Sequence, residues 1–163
     1  IEMSTLATQY YLKAKEDYPY DLPEAMESLE YAMSYDNEHA GTHCLMGTFY
    51  YEQLRDFKEA FYHFEQAMIH DIEHIETYYF FSMALIEYGE FNKAKNLLKH
   101  AETIKGICMS CVFERKALIH EKRGNLAKSE KQLLKAINMS TDNCEIENLN
   151  LDLERVRKKI KKD

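Results

Sequence analysis

Small and large apolar positions recur along this chain with fixed internal spacing. Ala25 is followed by Leu29 and then Ala32. The same trio returns as Ala60, Phe64 and Ala67, as Ala94, Leu98 and Ala101, and as Ser129, Leu133 and Ala136. Steps of four and seven residues fall on one stripe of an α-helix, where alanine admits a neighbouring helix and the large residue fills the space beside it. The copies open at Asp21, Asp56, Glu90 and Asn125, so they follow one another at intervals of 34 or 35 residues. A constant period of that size is the mark of stacked structural repeats.

Each opening residue is suited to cap a helix N-terminus, and Asp21 with Glu24, like Asp56 with Glu59, has capping-box spacing. Pro23 falls in a first helical turn, where its missing N–H costs nothing. Upstream of the trio lies a second helical pattern. It reads Tyr78, Phe81, Ser82 and Leu85 before Tyr88-Gly89, and Met46-Gly47 before Tyr50.

This order of large, small and aromatic residues resembles the tetratricopeptide repeat (TPR) family, whose pattern is W-x2-L-G-x2-Y followed by A-x3-F-x2-A. The resemblance covers four units, about 3–37, 38–73, 74–107 and 108–141. The departures are a missing tryptophan, no closing proline at Asn37, Ile72, Gly106 or Thr141, and Ser129 in an alanine position. The first unit is the least regular: Met3, Leu6, Ala7 and Tyr10 fit its opening helix, but about six extra residues follow and Tyr18-Pro19-Tyr20 interrupts.

The resemblance implies an all-α, right-handed TPR-type α-solenoid of four helix-turn-helix repeats in a single domain, 1–163. A C-terminal helix at about 143–161 completes it. Ile146, Leu149, Leu153, Val156 and Ile160 draw one narrow apolar seam along that helix. Stacked repeats leave an apolar end open, and a helix with one greasy seam closes it. A coiled-coil dimer seam is the competing reading, with Leu151 off the seam in its favour.

Composition agrees with helices. Five glycines and two prolines in 163 residues are too few for a turn-rich β protein, and Ala, Leu, Glu, Lys, Met and Gln are frequent. No apolar run is long enough to span a membrane, which excludes that partner. No secretion signal opens the chain, although it begins at Ile1 rather than methionine. With four cysteines and no such signal, a reducing, cytoplasmic location is expected. Residues 1–107 carry 19 acids against 8 bases, whereas 108–163 carry 9 against 13. The net charge of −7 speaks against nucleic acid as a partner. The terminal cations Arg155, Arg157, Lys158, Lys159, Lys161 and Lys162 read as a solvated helix end that complements the helix dipole.

Candidate chemistry is sparse. Cys108 and Cys111 form the one C-x-x-C; it lacks a βαβ context for redox work and a second C-x-x-C for zinc, so structural thiols are expected. His39 with His43, and His70 with His74, are four apart but straddle predicted helix ends, so they read as surface or helix-end histidines. Phosphate loops, nucleophile elbows and dinucleotide fingerprints do not occur. The expectation is therefore a non-enzymatic protein with no metal and no cofactor.

A fold of this kind binds on its concave surface, lined by the first helix of each unit. Those helices are predicted near 40–54, 75–88 and 109–123. By the register of the resembled family, Phe81, Ser82 and Leu85 pack inward. The groove positions are Cys44, Thr48, Tyr51 and Glu52, then Glu76, Tyr79, Phe80, Met83 and Glu87, then Glu114, Arg115, Leu118 and Lys122. Some TPR domains clamp carboxylate-terminated tails with groove cations; here most of the matching places hold cysteine, threonine, tyrosine, methionine or glutamate, so such a clamp is not expected. An aromatic groove flanked by Glu52, Glu76 and Glu87 better suits an apolar peptide or partner helix carrying basic residues. The predicted role is a scaffold or adaptor. The alternatives are a chaperone, a peptide-sensing regulatory domain, and a homodimer that fills its own groove.

Overall fold

The computed structural model describes residues 2–162, with side chains from residue 5 onward; Met3, which opens the predicted first pattern, lies outside those side chains. Among the described residues the ordered elements are helical: α1 (Glu2–Asp17), α2 (Leu22–Tyr35), α3 (Ala40–Phe49), α4 (Phe57–His70), α5 (Ile75–Tyr88), α6 (Phe91–Ala101), α7 (Met109–Lys122), α8 (Leu126–Met139) and α9 (Asn143–Ile160). A π-helical turn, Tyr50–Leu54, extends α3. Among the described residues no helix is long and apolar enough to cross a membrane. The helices group into two compact units, 1–84 and 85–163.

In the first unit α1 packs on α2 and α3 packs on α4. The small–large–small stripe is what those helices bury: Ala25, Leu29, Ala32, Ala60, Phe64 and Ala67 are all fully inaccessible. Leu29 joins Ala14 and Met46 in one cluster, flanked by Met26, Met33, Leu45 and Tyr50. Phe64 stacks on Phe81 with ring centroids 5.3 Å apart. Gly47 is required beside it, since a Cβ there would lie 2.8 Å from the Phe64 ring.

Asp21 and Asp56 cap α2 and α4 as predicted, each accepting the N–H three residues on at 3.2 Å. The interruption after α1 falls where Tyr18-Pro19-Tyr20 was expected to break the chain. Arg55 closes the π-helical turn in the left-handed region, at φ 55°. Its guanidinium lies over the rings of Tyr51 and Phe57, at 5.4 and 4.9 Å, which offsets part of the strain.

In the second unit α7 packs on α8 and α8 on α9. Here the cap expectation needs correcting. Glu90 and Asn125 precede α6 and α8 without a side-chain cap bond. The turns are made instead by Gly89 (φ 98°) and Gly124 (φ 75°), a conformation that needs no Cβ. They let the N–H groups of Glu90 and Asn125 bond back to Leu85 and His120, at 2.9 and 2.8 Å. The departure at Ser129 is also explained. The side chain is fully buried, and its hydroxyl donates to the Ala117 carbonyl at 2.9 Å, so a polar atom replaces alanine without being left unpaired.

α9 covers the end of this unit. Leu149, Leu153 and Val156 are buried against Ala117, Leu133 and Ala136. Ile146 is half-buried, while Ile160 and Leu151 remain exposed. The cations on α9 are not merely solvated. Arg155 grips both oxygens of Glu121, at 2.8 and 3.1 Å, Lys159 adds a third bond at 2.7 Å, and Arg157 reaches Glu130 at 2.7 Å. These bonds, Arg155's first, hold the Glu121 carboxyl at about 2. Glu121→Gln is expected to cost about 1 kcal/mol in denaturant unfolding at neutral pH, a small value because Arg155 and Lys159 are half-exposed and screened by solvent. Because the folded-state pKa is depressed, that contribution is present above the carboxylate range and fades as pH falls toward about 2.

Candidate functional site

The first helices of successive repeats begin on matching residues. His39 caps α3 by accepting the Thr42 N–H at 3.1 Å, His74 Nδ1 lies 2.8 Å from the Thr77 hydroxyl at the start of α5, and the Cys108 sulfur accepts the Cys111 N–H at 3.2 Å to begin α7. These three residues sit 35 and 34 apart, so the register carries through. It brings a set of side chains from α1 and the turn after it, from α3 and from the start of α5 around one cavity in the first unit.

That cavity holds about 490 Å³ and is lined by Tyr11, Lys15, Tyr18, Cys44, Leu45, Thr48, Glu76, Tyr79 and Phe80. Five of the predicted groove residues are here: Cys44, Thr48, Glu76, Tyr79 and Phe80. Cys44 and Thr48 form its floor and are almost inaccessible, at 2% each. The Thr48 hydroxyl donates to the Cys44 carbonyl at 2.9 Å, and burial pushes the Cys44 thiol up to about 12, so it stays protonated. Tyr79 and Phe80 are half-buried and supply aromatic wall.

The remaining wall comes from α1 and the turn that follows it, which the sequence pattern did not assign to the site. Lys15 bonds Glu76 at 2.7 Å and lies 5.7 Å from the Tyr11 ring centroid. Burial, then the nearby Glu76 carboxylate, raises the Tyr11 hydroxyl. Tyr18 donates to Glu52 and accepts from Gln53 Nε2 at 3.1 Å, and burial pushes its hydroxyl up to about 12. Glu52 thus stands at the cavity edge as a partner of Tyr18. The only signals for these residues were aromatic positions in an irregular first repeat.

Other predicted groove residues lie elsewhere. Tyr51 is buried, with its ring 5.9 Å from that of Phe57. Met83 is half-buried and Glu87 exposed. In the second unit, Glu114 is half-buried and raised by burial, with Arg115 at 3.8 Å opposing that shift. Leu118 is half-buried and Lys122 exposed.

One expectation about histidine is overturned. His43 is buried at 2% exposure, and its Nδ1 lies 2.9 Å from Nδ1 of His63, a residue 20 positions away that is itself 7% exposed. His43 Nε2 reaches the Asn37 carbonyl at 2.9 Å, and the His70 ring stacks on His43 at 5.8 Å. Spacing within one helix could not reveal a pair built across two helices.

No protein-family model matches the chain, and no characterised protein matches it in sequence. Solved structures do match. PilF of Pseudomonas aeruginosa is 16% identical with a TM-score of 0.79, over 97% of this chain and 75% of that one. YrrB, a TPR protein with an unusual peptide-binding site, is 20% identical with a TM-score of 0.70, over 90% of this chain and 75% of that one. TTC0263, a thermophilic TPR protein of Thermus thermophilus, is 14% identical with a TM-score of 0.73, over 90% and 79%. At these identities the likeness speaks for the fold, and it agrees with the buried small–large–small stripes and the matched helix starts. The chain therefore has the tetratricopeptide-repeat fold, an all-α helical-repeat solenoid.

Proposed function

We propose that this protein is a non-enzymatic interaction module whose first-unit cavity receives an extended peptide or partner helix, with an apolar side chain on the aromatic wall and a basic one at Glu76. The observation that carries this reading is the Lys15–Glu76 pair set among Tyr11, Tyr18, Tyr79 and Phe80. Both members are about half-exposed, and such an ion pair is worth about 1 kcal/mol or less. A ligand cation can therefore replace Lys15 at Glu76 at little cost. Tyrosine and phenylalanine supply the contact area, with few rotors to freeze. The peptide-binding site named for YrrB supports the mode of action without supplying the ligand. An acidic tail is disfavoured by Glu52 and Glu76 at the rim.

A panel of synthetic peptides tests this, apolar with lysine or arginine against apolar with aspartate or glutamate, titrated into the purified chain. The basic series is expected to bind, and Tyr79→Ala/Phe80→Ala to weaken it about tenfold or more. Glu76→Gln should weaken the basic series selectively. Unchanged binding in the aromatic double variant, or preference for the acidic series, overturns the reading. Light scattering on the same sample separates a free cavity from one filled by a second copy.

A further inference from the structure

In the second unit the thiols of Cys108 and Cys111 meet a carboxylate 34 residues further on. Cys108 Sγ and Cys111 Sγ lie 4.0 and 3.8 Å from Glu145 Oε1, and one ligand atom from each residue falls within 4.8 Å of the others. We propose that Cys108, Cys111 and Glu145 form a binding site for a thiophilic divalent cation, zinc above all, which clips the start of α7 to the start of α9. The fourth ligand is solvent, since all three residues are partly exposed.

The distances carry the assignment. A tetrahedral zinc with sulfur at about 2.3 Å and oxygen at about 2.0–2.2 Å separates its ligands by about 3.5–3.8 Å. The sulfur–oxygen distances therefore need to shorten by only a few tenths of an ångström. The supporting contacts are also those of a metal site. Glu145 Oε2 accepts from the Ser140 hydroxyl, which leaves Oε1 toward the sulfurs. The Glu145 N–H is fixed on Asp142 at 2.8 Å, and the Cys108 sulfur already accepts the Cys111 N–H at 3.2 Å, a bond that favours thiolate. Two thiols and a carboxylate this close repel one another once ionised, and a divalent cation removes that repulsion.

The sequence lacks a second C-x-x-C to complete a zinc site. The fold answers it by bringing a carboxylate to the pair from the next repeat boundary. Its function would be mechanical, tying the last repeat to the helix that covers it, and it stands independently of what the first-unit cavity binds.

Cobalt(II) and zinc added to the reduced full chain test the site. One Co²⁺ per chain is expected, with sulfur-to-cobalt charge-transfer absorption and tetrahedral d–d bands that Zn²⁺ bleaches. Zn²⁺ should also raise Tm, because it binds the folded chain selectively. Cys108→Ser keeps a helix-capping oxygen, and Glu145→Gln keeps a side chain for Ser140, so both are expected to fold. Circular dichroism checks this. Each should lower the Co²⁺ affinity about tenfold or more, with the charge-transfer intensity roughly halved in Cys108→Ser. The absence of those bands, or their persistence unchanged in both folded variants, overturns the proposal.

Discussion

Phe64→Ala is expected to cost about 3–5 kcal/mol, among the larger losses from a single truncation in the first unit. The ring is fully buried, stacks on Phe81 and fills the space left by Gly47. Nothing nearby can collapse into the vacated volume cheaply. Gly47 has no side chain to offer, and the neighbouring alanines Ala60 and Ala67 are fixed one turn away on the same helix. The cost therefore includes a cavity as well as lost transfer energy. Urea unfolding followed by circular dichroism measures it. Tyr62→Ala provides the contrast: that ring is 53% exposed two residues away, and its removal should stay within about 0.5 kcal/mol. Similar losses in the two variants would mean that the recurring stripe does not set the packing.

That stripe was also the most legible feature of the sequence. A small–large–small trio at fixed spacing can be read without coordinates because helix geometry alone decides which residues share a face. Leu29, Phe64, Leu98 and Leu133 are buried for that reason, and the four repeats follow from the period. The caps at Asp21 and Asp56 were legible from side-chain chemistry, whereas at Glu90 and Asn125 glycine turns took over the same task. The lining of the candidate cavity was legible only where it lay on regular repeats. Cys44, Thr48, Glu76, Tyr79 and Phe80 follow from the register. Lys15, Tyr11 and Tyr18 do not, because the first repeat breaks the period before they can be aligned. Glu145 beside Cys108 and Cys111, and His63 beside His43, are meetings between residues on different helices. No spacing rule covers those. They are fixed by how one helix is set against the next, which is a property of packing rather than of local pattern.

The His43–His63 pair makes stability depend on acid, and the sign follows from the bonds. His43 Nε2 donates to the Asn37 carbonyl, so its Nδ1 is left to accept from Nδ1–H of His63. Both rings must be neutral, or nearly so, for that arrangement to hold in a buried place. Burial, then the neighbouring His43, lowers His63 to about 4, and burial lowers His43 as well. Above the ordinary histidine value of 6.5 neither folded nor unfolded chain carries the charge, and this pair adds no pH dependence. Between about 6.5 and about 4 the unfolded chain binds a proton that folded His63 refuses, so stability falls as pH falls. The expected loss is on the order of 2 kcal/mol across that window, discounted from the full linkage value for solvent screening. His63→Asn places an amide N–H where Nδ1–H was and removes the titration. Its unfolding free energy, measured at intervals from pH 7 to pH 4, should decline less steeply than that of the wild type by close to one proton. Some slope will remain, because burial also lowers His39, His74 and His120. Equal slopes for the variant and the wild type would show that His63 takes up its proton as easily in the folded chain as in the unfolded one.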